Sequence, residues 1–169
     1  MELIVGKNNK NAIGQNGDLM WDLSKDLQRF RKLTQNQIVV MGRKTYDSIP
    51  GGPLKNRINV IITHNPNNYH QQVDNVYFVN LDESQRILMD LQERHHKKIF
   101  IIGGSYIYKH FYPQCHTLHI TEVDDDEEGD TYFPITDAQI SEEYNITYKE
   151  THRDETTNML YSFCTYEKK

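Results

Sequence analysis

The chain has 169 residues, of which 37% are hydrophobic and 25% charged, and its formal net charge at pH 7 is −5. This length predicts one domain, 1–169, that is large enough to bury a hydrophobic core. The acidic balance disfavours a protein dedicated to nucleic-acid binding, and no apolar run approaches the ~20 residues that a membrane span needs.

The two cysteines, Cys115 and Cys164, lack the spacing of a metal site and are too few for a disulfide framework. The apolar run at residues 2–6 is too short for a secretory signal. We therefore expect reduced thiols, no metal, no membrane association and a cytoplasmic protein.

Short apolar runs, several of them continuously β-branched, predict strands that are buried on both faces, as in a parallel sheet covered by helices. These runs are Glu2–Gly6, Gln37–Gly42, Ile58–Thr63, Val76–Val79, Lys98–Gly103 and Thr117–Val123. Near the C-terminus, Tyr144–His152 and Asn158–Tyr166 alternate polar and apolar side chains on either side of a polar turn. That alternation predicts an antiparallel hairpin.

Helices are predicted between the strands. Ser24–Leu33 carries an apolar stripe on one face, Leu81–His95 follows the pattern of a capping box, and Ser105–Tyr112 stops at a proline. The fold class is therefore α/β, a single domain whose mostly parallel central sheet is flanked by helices and followed by a C-terminal antiparallel hairpin. In such sheets, ligands bind outside the carboxyl ends of the strands.

Three of the predicted strands end in residues suited to a phosphate-bearing ligand. Gly103-Gly104-Ser105 lets the backbone approach a ligand and offers helix N–H groups to an anion, although such a pair of glycines is more often a simple turn. Arg43-Lys44-Thr45 follows another strand, either as solvated charges or as a phosphate clamp. If the strand that ends in Thr63-His64 lies beside it, Arg43, Thr63 and His64 converge on one phosphate group.

Asp26 lies at the edge of the apolar stripe of the first predicted helix, beside Leu27 and four residues before Phe30. A carboxylate there costs several kcal/mol unless it is paired or protonated. The alternative is an exposed acid that the helix dipole stabilises. The flexible segment Gly14–Asp18 precedes this helix and leads to Trp21, the only tryptophan, which lies either at the lip of a site or in the core.

These segments, taken in order, resemble dihydrofolate reductase over essentially the whole chain. The matching residues are Ala12-Ile13-Gly14, Leu19-x-Trp21, Asp26-Leu27-x-x-Phe30, Met41-Gly42-Arg43-Lys44-Thr45-Tyr46-x-Ser48-Ile49, Pro53-Leu54-x-x-Arg57, Ile102-Gly103-Gly104, Thr121 and Gly129-Asp130-Thr131-Tyr132-Phe133-Pro134. Each match is weak by itself, but together, and in register over one domain, they are highly specific. The resemblance implies NADPH-dependent reduction of 7,8-dihydrofolate to tetrahydrofolate.

The resemblance also implies the roles of individual residues. Asp26, Trp21 and Leu19 are the implied catalytic residues, with Asp26 on the 2-amino group and N3 of the pterin and a water delivering the proton to N5. The implied substrate-binding residues are Ile4, Val5, Asp26, Leu27, Phe30, Ile49, Leu54, Arg57, Ile102 and Thr121. Among them, Arg57 holds the α-carboxylate of the glutamate tail.

The implied NADPH-binding residues are Gly6, Ile13, Gly14, Gly42, Arg43, Lys44, Thr45, Thr63, His64, Ile102, Gly103, Gly104, Ser105, Tyr106, Ile107 and Tyr108. In this assignment Arg43, Thr63 and His64 take the 2′-phosphate, and a cis peptide joins Gly103 to Gly104. Dihydrofolate and antifolate small molecules are the implied ligands, and the protein is expected to act as a monomer.

Two other functions remain open at this point. One is a reductase of the same fold that acts on a pyrimidine or flavin precursor. That function does not explain why Asp26 lies on the helix stripe or why Arg57 follows the Pro53-Leu54 turn. A non-catalytic nucleotide-binding module has no need of both residues. Two further features stand apart from the family pattern: Met20 occupies a position where the family usually has proline, and the acidic stretch Asp124–Glu128 is interpreted as a solvated loop.

Overall fold

The computed structural model of the protein describes residues 1–69 and 73–169. Within them lie ten β-strands, five α-helices and two short 3-10 helices. The strands are β1 (Glu2–Asn8), β2 (Ala12–Gly14), β3 (Ile38–Gly42), β4 (Ile58–Ile62), β5 (Val76–Val79), β6 (Ile99–Gly103), β7 (Thr117–Val123), β8 (Thr131–Tyr132), β9 (Tyr144–Arg153) and β10 (Leu160–Lys168). The helices are α1 (Ser24–Thr34), α2 (Arg43–Ser48), α3 (Leu81–His95), α4 (Ser105–Phe111) and α5 (Asp137–Glu143), with 3-10 turns at Pro66–Asn68 and Tyr112–Gln114.

Eight of the strands form one sheet in the order β5-β4-β3-β6-β1-β7-β10-β9. The neighbours from β5 to β7 are parallel, whereas β10 runs antiparallel to both β7 and β9. This arrangement confirms the predicted fold class. Because six adjacent strands run in the same direction, their carboxyl ends meet at one edge of the sheet, which is where a ligand site is expected.

The continuous apolar character of the strands follows from burial of both sheet faces. Val40 and Val60 belong to the core cluster that contains Leu88 of α3, whereas Val39 and Ile61 belong to a second cluster with side chains from α1 and α2. Successive residues of a strand point to opposite faces, so a strand covered on both faces needs apolar side chains at every position.

The predicted strands and helices are present with ends that differ by at most two residues. Apart from the 3-10 turns, four short elements were not predicted, namely β2, β8, α2 and α5. β2 and β8 pair as a separate two-stranded sheet, and α5 begins where the Thr136 hydroxyl accepts a hydrogen bond from the Gln139 N–H at 3.1 Å. Elements this short carry too few residues to display a period in the sequence. None of the helices in the described part of the chain is long and apolar enough to cross a membrane.

Asn59 is a polar residue near the start of buried strand β4, with only 1% of its surface exposed. Its Nδ2 donates to the carbonyl oxygens of Leu54 at 2.9 Å and Arg57 at 3.1 Å, and its Oδ1 accepts from the Leu54 N–H at 3.0 Å. Since every polar atom of this side chain has a partner, its burial is compensated. The segment before β4 is thereby held against the strand end.

We expect Asn59→Ala to destabilise the protein by about 2–4 kcal/mol, because three backbone groups lose their partner and a buried unsatisfied group costs ~1–3 kcal/mol. The free energy of unfolding in urea measures the effect. The control is Asn67→Ala, which removes an exposed amide and is expected to change stability by less than about 0.5 kcal/mol. A loss below about 1 kcal/mol for Asn59→Ala would contradict the proposed anchoring role.

Candidate active site

Asp26 is placed by the first turn of α1 at the edge of the central sheet. Its Oδ1 accepts a hydrogen bond of 2.5 Å from the hydroxyl of Thr121, which lies on β7 and is 4% exposed. Gly6 of β1 faces the same carboxyl group, since a Cβ at that position would lie 3.9 Å from Asp26 Oδ2. Elements distant in the sequence therefore converge on one half-buried carboxylate, and its Oδ2 faces the space left open at Gly6.

The pKa of Asp26 is raised above its ordinary value, chiefly because burial disfavours the charged form. The hydrogen bond from Thr121 and the positive charge of Arg29 act in the opposite direction and lower this pKa. Asp26 is thus a partly desolvated acceptor, and it is not the exposed helix-capping acid of the alternative interpretation. Such a group is suited to bind a ligand that presents adjacent N–H donors.

Apolar side chains line the face of the sheet that α1 and α2 cover. Ile4, Ile49, Leu54 and Ile102 are half-buried and pack against the cluster that contains Phe100. Other predicted contacts differ in exposure: Leu27 and Leu19 are exposed, Leu19 to 80%, whereas Val5 and Ile13 lie in the core. The structure thus offers a wall of partly exposed apolar groups, the kind of surface that a flat aromatic ligand covers.

Arg57 is a buried cation, with 8% of its surface exposed, and its Nε has no hydrogen-bond partner within the described residues. Its Nη2 lies 3.5 Å from the Gln35 side chain, and its Cζ lies 5.9 Å from the centroid of the Phe30 ring. Burial and the nearby positive charge of Arg31 lower the pKa of Arg57. Among the described residues no carboxylate pairs with this guanidinium, which presents a fork of N–H donors that a ligand carboxylate can occupy.

The carboxyl ends of β3 and β4 lie side by side, because Gly42 pairs with Ile62 in the parallel ladder. Arg43 and Thr63 are the residues that follow these two positions, so the predicted adjacency is present. The Thr63 hydroxyl is buried and accepts a hydrogen bond from the Asn65 N–H at 3.3 Å. His64, the next residue after Thr63, is exposed.

An acidic residue that the sequence pattern did not predict accompanies this cluster. Asp47, one turn along α2, forms an exposed ion pair of 2.8 Å with the Arg43 Nη1. A guanidinium carries five N–H donors, so this ion pair leaves donors free for a phosphate group.

The turn after β6 contains the expected cis peptide between Gly103 and Gly104. A Cβ at Gly103 would lie 3.2 Å from the hydroxyl of Tyr108, and one at Gly104 would lie 3.6 Å from Thr45 Oγ1. The turn therefore passes between these two side chains, where a larger residue would fill the gap. Gly103 also has φ +126°, a conformation that other residues rarely adopt.

Tyr108 is buried beneath this turn and links two strands. Its hydroxyl lies 2.7 Å from the carbonyl oxygen of Ile4 and 2.9 Å from that of Ile102. Burial raises the pKa of Tyr108, so the hydroxyl remains a hydrogen-bond donor. The adjacent Ile107 is also in the core, whereas Tyr106 is exposed beside the turn.

Residues 14–21, which we call the lid, contact the segment that leads into β8. The Asn16 N–H donates to Asp130 Oδ2 at 2.7 Å, and the Asp130 N–H donates to the carbonyl oxygen of Gly14 at 2.9 Å. Trp21 is half-buried against a small core cluster with Leu23, and its Nε1 lies 3.4 Å from Asp125 Oδ2. The tryptophan is therefore the last residue of the lid and at the same time packs against a core cluster.

The acidic stretch Asp124–Glu128 is a largely exposed loop, which agrees with its interpretation as a solvated segment, and it is also hydrogen-bonded to residues 8–10 at the end of β1. Asn8 Nδ2 donates to Asp125 Oδ2 at 3.2 Å and to the Glu127 carbonyl oxygen at 2.7 Å. Lys10 forms a 2.9 Å ion pair with Glu128. Because residues 8–10 are polar or cationic, they satisfy the acidic segment and hold it beside the lid.

Several of the contributing residues were missed from the sequence. Asn59 could have been found, because an amide inside an otherwise β-branched strand needs buried partners. Asp125 and Asp47 had no comparable signal, since their partners are brought to them only by the fold. The described residues contain no group of three histidine, cysteine, aspartate or glutamate side chains that could hold a metal ion.

Comparison with known proteins gives a consistent result. The sequence model of the family described as "Dihydrofolate reductase" matches residues 1–168. The dihydrofolate reductase of Bacillus subtilis (strain 168) is 34% identical over 157 residues, which cover 93% of this chain and 88% of that protein. Dihydrofolate reductase HdrB of Haloferax volcanii is 33% identical over 171 residues, which cover 99% of this chain and 82% of that protein.

A solved structure is also similar to the protein along its whole length. It is a dihydrofolate reductase from Enterococcus faecalis complexed with NADP(H) and RAB-propyl, with a TM-score of 0.82 and 26% sequence identity. The similarity covers 99% of this chain and 95% of that chain.

We expect Gly129→Ala to displace the lid, because the new Cβ would lie 2.5 Å from the backbone oxygen of Gly14 and 3.2 Å from Met20 Sδ. Trp21 is the sole tryptophan, so its fluorescence reports the displacement directly, and we expect a red-shifted emission. We also expect a stability loss of about 1–3 kcal/mol from overpacking.

The matched control for this substitution is Gly51→Ala. It introduces a side chain at a positive φ with nothing within 4 Å, and Gly51 precedes β4, far along the chain from the lid. Unchanged Trp21 emission in Gly129→Ala, or an equal shift in the control, would show that Gly129 does not position the lid.

Proposed function

The chain belongs to the dihydrofolate reductase family, and we propose that its reaction takes place where the carboxyl ends of β1, β6 and β7 meet α1, with Asp26 binding the pterin. The observation that carries this proposal is the half-buried Asp26 carboxylate, which Thr121 holds in place above the open space at Gly6. The proposal treats residues 1–169 as one domain.

The protein is an NADPH-dependent oxidoreductase that reduces 7,8-dihydrofolate to tetrahydrofolate. NADPH supplies the hydride, which passes from C4 of the nicotinamide to C6 of the pterin while N5 gains a proton. The protein's own part is to bind and orient the two rings and to keep bulk water away from them.

Asp26 accepts the N3–H and the 2-amino N–H of the pterin in this proposal. A carboxylate offers two acceptor oxygens side by side, which matches two adjacent donors on a flat ring. While Asp26 holds this edge of the ring it cannot reach N5, so a water delivers the proton. The lid, with Leu19 and Trp21, closes over the site and limits water to that one role.

The apolar wall and Arg57 bind the rest of the substrate. Ile4, Ile49, Leu54 and Ile102 provide the half-buried surface on which the pterin and the aromatic part of its tail pack. The exposed Leu27 and the half-buried Phe30 extend this surface along α1. Arg57, which lacks a carboxylate partner among the described residues, is proposed to bind the α-carboxylate of the glutamate tail.

The residues at the carboxyl ends of β3, β4 and β6 fit NADPH. The turn at Gly103 and Gly104 leaves open a space that a side chain at either position would fill. Thr45 lies directly beside this space. Arg43 and Thr63 supply a guanidinium and a hydroxyl at adjacent strand ends for the 2′-phosphate. The further residues proposed to line this site are Gly6, Ile13, Gly14, Gly42, Lys44, His64, Ile102, Ser105 and Tyr106, with Ile107 and Tyr108 supporting it from the core.

The same cleft is proposed to bind antifolates, because a heterocycle with an amino-pyrimidine edge presents Asp26 with the same pair of N–H donors. We also propose a monomeric protein that works in the cytoplasm without nucleic-acid or membrane partners. Two buried free cysteines and an acidic net charge support this part of the proposal.

We expect Asp26→Asn to lower kcat/KM for dihydrofolate about 10- to 100-fold at neutral pH, because a charged hydrogen bond contributes ~1.5–3 kcal/mol. The rate of NADPH oxidation in the presence of dihydrofolate measures the loss. Asp82→Asn, in the exposed first turn of α3, is the matched control and is expected to leave kcat/KM unchanged. Activity of Asp26→Asn within twofold of the wild type would remove Asp26 from its proposed role.

The same substitution is expected to raise the free energy of unfolding at pH 7. The folded-state pKa of Asp26 is raised, so its favourable contribution is fully present below the unfolded value of ~3.9 and is lost as pH rises through the folded value. Asparagine lacks this pH-dependent cost. Urea unfolding between pH 4 and pH 8 tests the sign, since the advantage of Asp26→Asn must shrink as the pH falls.

We expect Arg57→Leu to raise KM for dihydrofolate at least tenfold, the equivalent of one charged hydrogen bond. For a dihydropterin without the glutamate tail, the same substitution is expected to change KM by less than about twofold, because that substrate presents no carboxylate. Equal losses for the two substrates would identify Arg57 as a structural residue.

A further inference from the structure

Arg29 is a half-buried cation on α1, three residues after Asp26. Residues with this spacing lie on the same side of a helix, with ~5–6 Å between their Cβ atoms. Among residues 1–69 and 73–169, no carboxylate forms an ion pair with Arg29. Its positive charge is therefore held near the pterin-binding carboxylate without a counter-ion of its own.

Strand β10 fixes the position of this guanidinium. Arg29 Cζ lies 4.8 Å from the centroid of the Phe163 ring, and Nη2 donates to Thr165 Oγ1 at 3.3 Å. Phe163 is paired with Thr121 in the β7–β10 ladder, and Thr121 is the donor to Asp26. The two α1 residues are thus held by two strand residues that are themselves neighbours.

Among the charged and titratable groups around Arg29 and Asp26, Asp26 is the carboxylate on which the charge of Arg29 mainly acts. Glu150 of β9 also faces Arg29, but it already accepts from the Tyr148 hydroxyl and forms a 2.8 Å contact with His152. The remaining groups that face the pair are neutral at physiological pH, namely Tyr108, Tyr148, Tyr161 and Cys164.

We propose that Arg29 is a positioning residue for the reaction, whose guanidinium keeps Asp26 in the carboxylate form that binds the pterin. This inference rests on the proposed role of Asp26. The pKa of Asp26 supports it, because burial raises that pKa, whereas the hydrogen bond from Thr121 and, after it, the charge of Arg29 lower it. The pKa of Arg29 is lowered by burial, and Asp26 is the charged neighbour that opposes this effect most strongly.

The chemical reason is the pattern of donors on the ligand. A carboxylate accepts two N–H groups, whereas a carboxylic acid presents one acceptor and one donor and therefore mismatches the pterin edge. Burial alone drives Asp26 toward the acid. By opposing burial together with Thr121, Arg29 extends to lower pH the range in which Asp26 can bind the substrate.

The direct test is the titration of Asp26 in Arg29→Met. Methionine retains an unbranched side chain that packs on Phe163 and removes the charge. Carboxyl 13C NMR of protein labelled at aspartate follows the titration, with the Asp26 signal assigned from its absence in Asp26→Asn. We expect Asp26 to titrate at higher pH in Arg29→Met than in the wild type, and Arg29→Lys, which keeps the charge, to restore the wild-type behaviour.

Two results of the titration would overturn the proposal. One is an unchanged Asp26 titration in Arg29→Met. The other is an equal shift in Arg29→Met and Arg29→Lys, which would assign the effect to stacking geometry instead of charge. Neither measurement needs turnover, so this inference can fail while Asp26→Asn still confirms the proposed function, and the reverse is also possible.

The functional test is the pH dependence of kcat/KM for dihydrofolate, expressed as the ratio of Arg29→Met to wild type. We expect this ratio to fall about three- to tenfold as the pH is lowered, and to return toward one at high pH, where Asp26 is ionised in both proteins. A ratio that does not depend on pH would make Arg29 merely structural. Lys25→Met removes an exposed cation beside Asp26, and an equal effect there would reduce the role of Arg29 to net charge.

Discussion

A carboxylate held partly out of water is the constraint on which this site depends. Burial favours the neutral form of Asp26, yet binding to two N–H donors requires the charged form. The hydrogen bond from Thr121 and the charge of Arg29 oppose the effect of burial. The surrounding structure is arranged around this balance, because α1 contributes Asp26 and Arg29, β7 contributes Thr121, and β10 holds the guanidinium in position.

The parallel sheet is what makes such convergence possible. Its strands all end at one edge, so residues from β1, β3, β4, β6 and β7 share a surface although they are far apart in the chain. Tyr108 ties β1 to β6 beneath the glycine turn, and Asn59 ties the Arg57 segment to β4. Buried polar side chains with complete hydrogen bonding thus hold the binding residues in place.

Charged and polar side chains at the surface hold the acidic stretch beside the lid. Residues 8–10 carry amide and ammonium donors, and residues 124–128 carry acceptors, so the two segments bind each other at the side of the lid. Asp125 also reaches Trp21. The acidic composition of this segment therefore contributes to lid placement, which no property of the segment alone reveals.

The sequence by itself determined the fold class and the order of the main strands and helices, and its resemblance to a known family supplied the candidate binding residues that are proposed above. It did so because burial on both sheet faces imposes continuous apolar runs, and because the motif residues keep their spacing along the chain. Only the tertiary structure decided how far each of these residues is exposed and which side chains it contacts. The exposure of Asp26, the ion pair of Arg43 with Asp47 and the stacking of Arg29 on Phe163 all depend on partners distant in sequence or on side-chain placement. The energy of a charge is set by the groups and the water around it in space, and a linear sequence does not contain that information.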